Sequence, residues 1–276
     1  MNPVIKNLAR TFLPAWLLAV RRHCGGYQRD GRLFAANLLT PDLPSDFYSR
    51  IASHLIFPNG VRKSTYPGRN APLFEALFTA EGYHPGKPLK ILDIGASFGM
   101  DSMSNLSAIR RYAEVESYTL ADLYTEVLYD PQSGIIFDQD HIPVQIKRGK
   151  GFFNLWFEFK YPVEKLYHLC NQNKTRRIRQ QYKNAKPDPG HVRSIPLFHP
   201  EIMKNSLFNT ARLDVFTPIP ETYDLVICLN LLQTRYFEPG KVEQGMQNLK
   251  NCLNPGGVLV TGVTDAVKYY FAPPKA

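Results

Sequence analysis

Hydrophobic positions along the chain fall into two alternating kinds of run. Short apolar stretches read as strands: Ile91-Leu92-Asp93-Ile94, Val115 to Leu120 ending at Ala121-Asp122, a third ending at Arg212-Leu213-Asp214-Val215, Tyr223 to Asn230, and Val258 to Thr261. Between them lie stretches with helical spacing. One carries Phe74, Leu77 and Phe78, and another runs from about Pro239 to Leu253 before stopping at Asn254-Pro255-Gly256-Gly257. Strands that alternate with helices predict an α/β fold: a doubly wound, Rossmann-like, mostly parallel sheet that binds ligands at the carboxyl ends of its strands. Val267 to Phe271 is all that remains for a last strand.

Two regions depart from that pattern. Residues 1–60 predict a short N-terminal helical region, with Ile5, Leu8, Phe12, Trp16 and Val20 at helical spacing and Ser45 placed to cap a further helix. Residues 61–276 form the expected main domain. Within it, about 138–207 is too long for a simple connection and predicts a subdomain inserted between the second and third strands. Ile135 to Phe137 and Phe152 to Phe159 read there as strands, and Lys174 to Arg179 as a basic helix.

Composition narrows the functional classes. Apolar residues at 44% and charged residues at 21% fit a globular protein with a full core. A net charge of +9 favours contact with something acidic, an acidic protein substrate, anionic lipid or nucleic acid, and a solvated basic surface accounts for it equally well. No recognised nucleic-acid module accompanies the basic run from Lys174 to Lys186, so nucleic acid is not the expected partner. The uncharged run Thr11 to Val20 is about half of what a bilayer span needs. Residues 3–23 therefore read either as a helix packed on the body or as one lying on a membrane surface. Cys24, Cys170, Cys228 and Cys252 form no C-x-x-C pair, which predicts a reduced cytoplasmic setting, free or peripheral to the inner face of the membrane. Asp138, Asp140 and His141 read as solvated loop residues, and no metal is expected.

The candidate chemistry gathers after the first strand. Gly95-Ala96-Ser97-Phe98-Gly99 is a turn that lets the backbone approach a ligand and then opens a helix. Asp122 lies 23 positions after Gly99 at the tip of the second strand, where an acidic residue binds ribose hydroxyls.

With the Leu253-Asn254-Pro255-Gly256-Gly257 turn, these features resemble class I S-adenosylmethionine-dependent methyltransferases. Four segments sharpen the resemblance to the chemotaxis receptor (CheR-type) glutamate methyltransferases. Thr65 and Arg69, followed by Phe74, look like that family's cofactor-covering loop, with Lys63 where asparagine is expected. Gly95 to Asp101 with Ser104 is similar to its serine-bearing turn, and of that turn's acids only Asp101 is kept. Ala121-Asp122-Leu123 through Leu128, with Ser133-Gly134-Ile135, resembles its second-strand segment. Cys228-Leu229-Asn230-Leu231 with Tyr236-Phe237 looks like its fourth-strand end. Arg212 replaces an asparagine, and two extra residues separate Asn230 from Tyr236.

The resemblance implies S-adenosyl-L-methionine as cofactor and a carboxylate acceptor, most simply a protein glutamate. It places Asp122 and Leu123 at the ribose; Gly95, Ala96, Ser97, Gly99 and Asp101 around the methionine moiety; and Asp93 behind that loop. Leu213 and Asp214 would flank adenine, Asn230 and Leu231 would lie near the entering acceptor, and Thr65 and Arg69 would close over the cofactor. Tyr236 is the candidate catalytic residue, as an orienting hydroxyl. Two alternatives stand beside this: a methyltransferase for a small molecule, sugar or lipid headgroup at the membrane surface, and a non-catalytic cofactor-binding scaffold.

Overall fold

A computed structural model of the chain describes residues 27–28, 55–59, 63, 67–148, 151–156, 176–234, 236–263 and 266–274. The predicted N-terminal helix over 3–23, the linker and helix that follow it, and Thr65 lie outside the described residues. The described residues form two compact units. One holds 27–28, 55–59, 128–148, 151–156 and 176–194, and the other 63, 67–127, 195–234, 236–263 and 266–274.

The larger unit is built on strands β2 (Leu89–Ile94), β3 (Val115–Asp122), β9 (Phe208–Arg212), β10 (Tyr223–Leu229), β11 (Leu253–Val263) and β12 (Ala266–Phe271). Their order is β12-β11-β10-β2-β3-β9, parallel throughout except for β11–β12. The chain builds outward from β2 through β3 to β9, then returns to the other side of β2 with β10. That reversal puts a topological switch point between the carboxyl ends of β2 and β10. This is the Rossmann-like sheet expected from the alternation of the sequence.

Alternate residues of each buried strand serve opposite faces. Leu89, Ile91, Leu225, Ile227, Val258 and Val260 pack with Phe74, Leu77 and Phe78 of helix α1 (Ala71–Thr79), and with Leu106 and Ile109 of α2 (Met100–Ile109). Ile202 of the short α3 (Pro200–Lys204) joins the same layer. Leu92, Ile94, Val226, Cys228 and Leu259 face the other way, toward Leu249 of α4 (Pro239–Asn251). Helices on both faces make the sheet doubly wound.

The element ends differ slightly from the sequence reading. Strand β9 stops at Arg212 because Asp214 caps a turn, its carboxylate accepting Phe216 N at 3.0 Å. Strand β11 begins at Leu253, ahead of the Asn-Pro-Gly-Gly turn: Leu253 pairs with Tyr223, and pairing resumes at Val258 with Leu225. The four turn residues bulge out opposite Asp224, whose carboxylate receives Asn254 Nδ2 at 2.8 Å. Gly257 is required there, since a Cβ would lie 2.9 Å from the carbonyl oxygens of both Asn254 and Asp224.

The second sheet has the order β1-β7-β6-β5-β4-β8. Its strands are β1 (Tyr27–Gln28), β4 (Glu126–Asp130), β5 (Ile135–Phe137), β6 (Pro143–Arg148), β7 (Gly151–Asn154) and β8 (Arg193–Pro196). Strands β4 to β7 form an antiparallel meander, and β1 pairs antiparallel with β7. A small core of Ile135, Phe137, Ile146 and Leu155 is covered by Ile178 and Tyr182 from helical residues 176–182. In this basic segment Arg179 is part of the packing. Its guanidinium lies 5.3 Å from the Trp156 ring centroid, and its Nε donates to Leu155 O. No helix among the described residues is long and apolar enough to cross a membrane.

Candidate functional site

The turn between β2 and α2 is wound through three left-handed residues, Gly95 (φ 77°), Ser97 (φ 60°) and Gly99 (φ 79°). Two glycines reach that region freely, whereas Ser97 holds it at a conformational cost typical of ligand-binding turns. The turn is pinned to the second strand. Gly95 N and Ala96 N donate to Ala121 O at 2.8 and 3.2 Å, and Ser97 N donates to Asp122 Oδ2 at 3.0 Å. The glycines serve packing as well as access. A Cβ on Gly95 would sit 3.0 Å from Leu231 Cδ2, and one on Gly99 would sit 2.6 Å from both Leu120 Cδ2 and Ile202 Cδ1.

Beneath the turn lies a buried polar cluster. Asp93 Oδ2 accepts the hydroxyls of Ser102 at 2.6 Å and Tyr118 at 2.9 Å. Burial pushes the Asp93 carboxyl up to about 6 against the pull of those hydrogen bonds. Asp93 thus ties the end of β2 to α2 and to β3. Asp101, in the first turn of α2, accepts Asn70 Nδ2. Burial raises its carboxyl too, and the Arg69 guanidinium opposes that rise. Arg69, Asn70, Asp93, Gly95, Asp101 and Asn105, with Ile227 and Leu229, line a cavity of about 30 Å³ at the switch point. That is room for about two waters, whereas small-molecule pockets run to hundreds of Å³. Among the described residues, Arg69 Nε, Asp101 Oδ1 and Asn105 Oδ1, from residues lining this cavity, are buried without a hydrogen-bond partner, as is Ser97 Oγ in the turn. Orphaned polar atoms at a switch point are what a polar ligand would satisfy.

Asp122 ends β3 beside the turn, and its carboxylate accepts three donors. Oδ1 receives Tyr124 N at 3.1 Å and Lys63 Nζ at 2.8 Å, while Oδ2 takes the Ser97 amide. Lys63 is only 3% exposed, Asp122 only 14%, and Lys63 Nζ also reaches Ser97 O at 3.5 Å. Burial lowers the Lys63 ammonium below its ordinary value, and Asp122 opposes that fall.

The remaining expected residues are spread around this centre. Leu123 O accepts Arg212 Nε at 3.2 Å. Leu213 packs into the core on the α4 side, and its amide donates to Asp122 O at 3.1 Å. The turn that Asp214 caps is tied to α4 by Asn248 Nδ2 donating to Val215 O at 3.0 Å. Asn230 is left-handed (φ 61°) at the end of β10, its amide donating to Gly262 O at 2.7 Å, with Leu231 against Gly95. Tyr236 is half-buried, its ring 6.3 Å from that of Phe237. Among the described residues no group of three His, Cys, Asp or Glu side chains is placed to hold a metal ion. Asp138 turns its carboxylate onto its own loop, accepting Asp140 N and Ile142 N.

Sequence reasoning did not assign Ser102, Asn105 or Tyr118 to the cluster. The available signal was polarity in the wrong place: Asp101, Ser102 and Asn105 put polar side chains on the buried face of α2. Lys63 stood out only as a replacement for asparagine.

No protein-family model and no curated protein matches the chain. Solved structures do. N-methyltransferase NodS from Bradyrhizobium japonicum, in complex with S-adenosyl-L-homocysteine, is 14% identical, covers 70% of this chain and 59% of its own, and has a TM-score of 0.30. An S-adenosylmethionine-dependent methyltransferase from Clostridium acetobutylicum is 12% identical, with coverages of 71% and 50% and a TM-score of 0.33. The amino pentose methyltransferase CalS10 from Micromonospora echinaspora is 10% identical, with 72% and 50% covered and a TM-score of 0.32. The chain thus spans less than two thirds of the length of each, and its fold is read from its own strand order.

Proposed function

We propose that the protein is an S-adenosyl-L-methionine-dependent methyltransferase acting on a carboxylate, most simply a glutamate side chain of an acidic protein. The observation that carries this reading is the set of partnerless buried atoms, Arg69 Nε, Asp101 Oδ1 and Asn105 Oδ1 on residues that line the switch-point cavity, and Ser97 Oγ in the turn after β2. They fit the amino-acid end of the cofactor: a guanidinium for its carboxylate, with hydroxyl and amide oxygens for its ammonium group. Gly95, Ala96 and Gly99 would shape the backbone beneath it, and Asp122 would hold the ribose. When bound, the cofactor supplies a methyl group activated by a sulfonium.

The chain's own share of the chemistry is small. A glutamate carboxylate, with a reference pKa of about 4.3, is ionised at neutral pH and needs no general base. Asn230 and Tyr236, beyond the end of β10, would orient the acceptor, and the surrounding loops would exclude water. The chemotaxis-receptor type of acceptor rests on the segments around Arg69, Gly95, Asp122 and Asn230 that resemble that family.

Calorimetric titration with S-adenosylmethionine and S-adenosylhomocysteine tests the cofactor. Transfer of labelled methyl to acidic proteins, small carboxylates and lipid headgroups tests the acceptor. Binding without transfer to any of them would support the second reading, a non-catalytic scaffold, which is favoured by one observation: Asp122 is already paired with Lys63.

A further inference from the structure

We infer that Lys63 is a built-in competitor for the ribose-binding carboxylate, so that the cofactor must displace its ammonium group to bind. The inference rests on the methyltransferase reading above and specifies how that same site is controlled.

Four contacts define the place. The carboxylate of Asp122 accepts the amides of Ser97 at 3.0 Å and Tyr124 at 3.1 Å, and the Lys63 ammonium at 2.8 Å. Lys63 Nζ is also 3.5 Å from Ser97 O. The two amides are backbone groups on either side of Asp122, and the turn that carries Ser97 is tied to β3 by Gly95 N and Ala96 N donating to Ala121 O. A ribose diol donates two hydroxyls, and of these three donors to Asp122 only Lys63 is mounted on a flexible side chain. Four rotatable bonds let that ammonium swing away without moving the sheet. Its departure alone would leave a mostly buried carboxylate, 14% exposed, without its counter-ion, which is unfavourable. Two incoming hydroxyls remove that penalty. The exchange therefore proceeds when ligand is present and reverses when it leaves.

The test compares S-adenosylhomocysteine binding to wild type, Lys63→Gln and Lys63→Met by calorimetry, with circular dichroism to verify folding. The expected result is at least about tenfold tighter binding in both variants, because the ligand no longer has to expel a charge. Unchanged or weaker binding in folded variants overturns the inference and leaves the cofactor reading intact, with Lys63 as a structural counter-ion or a direct contact. Binding by neither wild type nor variants overturns both.

A measurement on wild type does not depend on variant folding. Reductive methylation read by mass spectrometry should leave Lys63 unlabelled in the free protein and label it once S-adenosylhomocysteine is saturating. Protection that persists in the complex overturns the displacement.

Discussion

Tyr118 donates its phenolic hydroxyl to Asp93 at 2.9 Å, joining β3 to the penultimate residue of β2 directly beneath the glycine turn. Both groups are buried, and burial raises both pKa values. The Asp93 charge lifts the tyrosine further, while the hydrogen bond holds the carboxyl somewhat lower than burial alone would. For Asp93 the consequence can be signed. Its carboxyl titrates at about 6 in the folded protein against 3.8 in the unfolded chain, so between those values the folded state binds more protons. This group's contribution to stability therefore falls as pH rises through that window and is constant above it. Replacing it with Asp93→Asn removes the dependence. Relative to wild type, the variant should gain on the order of 3 kcal/mol between pH 4 and pH 7. Urea denaturation of both proteins at the two pH values checks it. A difference that does not move with pH would mean the carboxyl is not elevated.

Removing Asp122 should do two things at once. Asp122→Ala should abolish cofactor binding and also destabilise the fold by about 3–5 kcal/mol, because it strands the Lys63 ammonium in the interior. The second effect should largely disappear in the double variant with Lys63→Met, while binding stays lost. A double-mutant cycle in denaturant separates the two.

Gly99 and Gly68 offer a controlled comparison, since both have φ 79°. A methyl on Gly68 meets nothing within 4 Å, whereas on Gly99 it lies 2.6 Å from Leu120 and Ile202 side-chain atoms. Gly68→Ala should cost about 1 kcal/mol, the backbone term alone. Gly99→Ala should cost about 3 kcal/mol, backbone plus overpacking. Thermal melts distinguish them.

The turn before β11 gives an acid-side prediction. Burial alone would raise the Asp224 carboxyl, but the Lys90 amide, Asn254 and Lys87 together hold it below its ordinary value of 3.8. Its stabilising contribution is present above that value and is lost as pH falls through the lower folded value. Asn254→Ala should destabilise by about 1 kcal/mol at neutral pH and shift acid unfolding upward. An acid titration followed by far-ultraviolet circular dichroism reads the shift.

Much of the larger unit was legible in the sequence because its strands are buried on both faces and read as apolar runs. Ile91 to Ile94 and Leu225 to Leu229 could be placed with little ambiguity, and β9, with its mixed Phe-Asn-Thr-Ala-Arg sequence, was placed only roughly. Periodicity reports which face is buried, not which partner fills a hydrogen bond. Gly95, Gly99 and Asp122 were therefore found as types in a pattern. The Ser102–Asp93–Tyr118 network was not, since it joins residues of three different elements. The resemblance sets Asp214 beside adenine, and the periodic pattern carries no sign of the local turn in which its carboxylate accepts Phe216 N. Lys63 is invisible to any periodic signal, because only the fold brings it to Asp122.

Leu197 N donates to Thr125 O at 2.8 Å, so the chain leaves the central sheet and comes back to it through neighbouring residues. Strands β3 and β9 pair directly, Tyr118 with Phe208 through Asp122 with Arg212, whatever lies between them. The entropy of closing such a loop grows only logarithmically with its length, about 0.6 kcal/mol per doubling. That excursion can therefore lengthen, shorten or be exchanged over evolutionary time at little thermodynamic cost to the scaffold. It is the segment of this chain in which a new specificity could arise without disturbing the glycine turn.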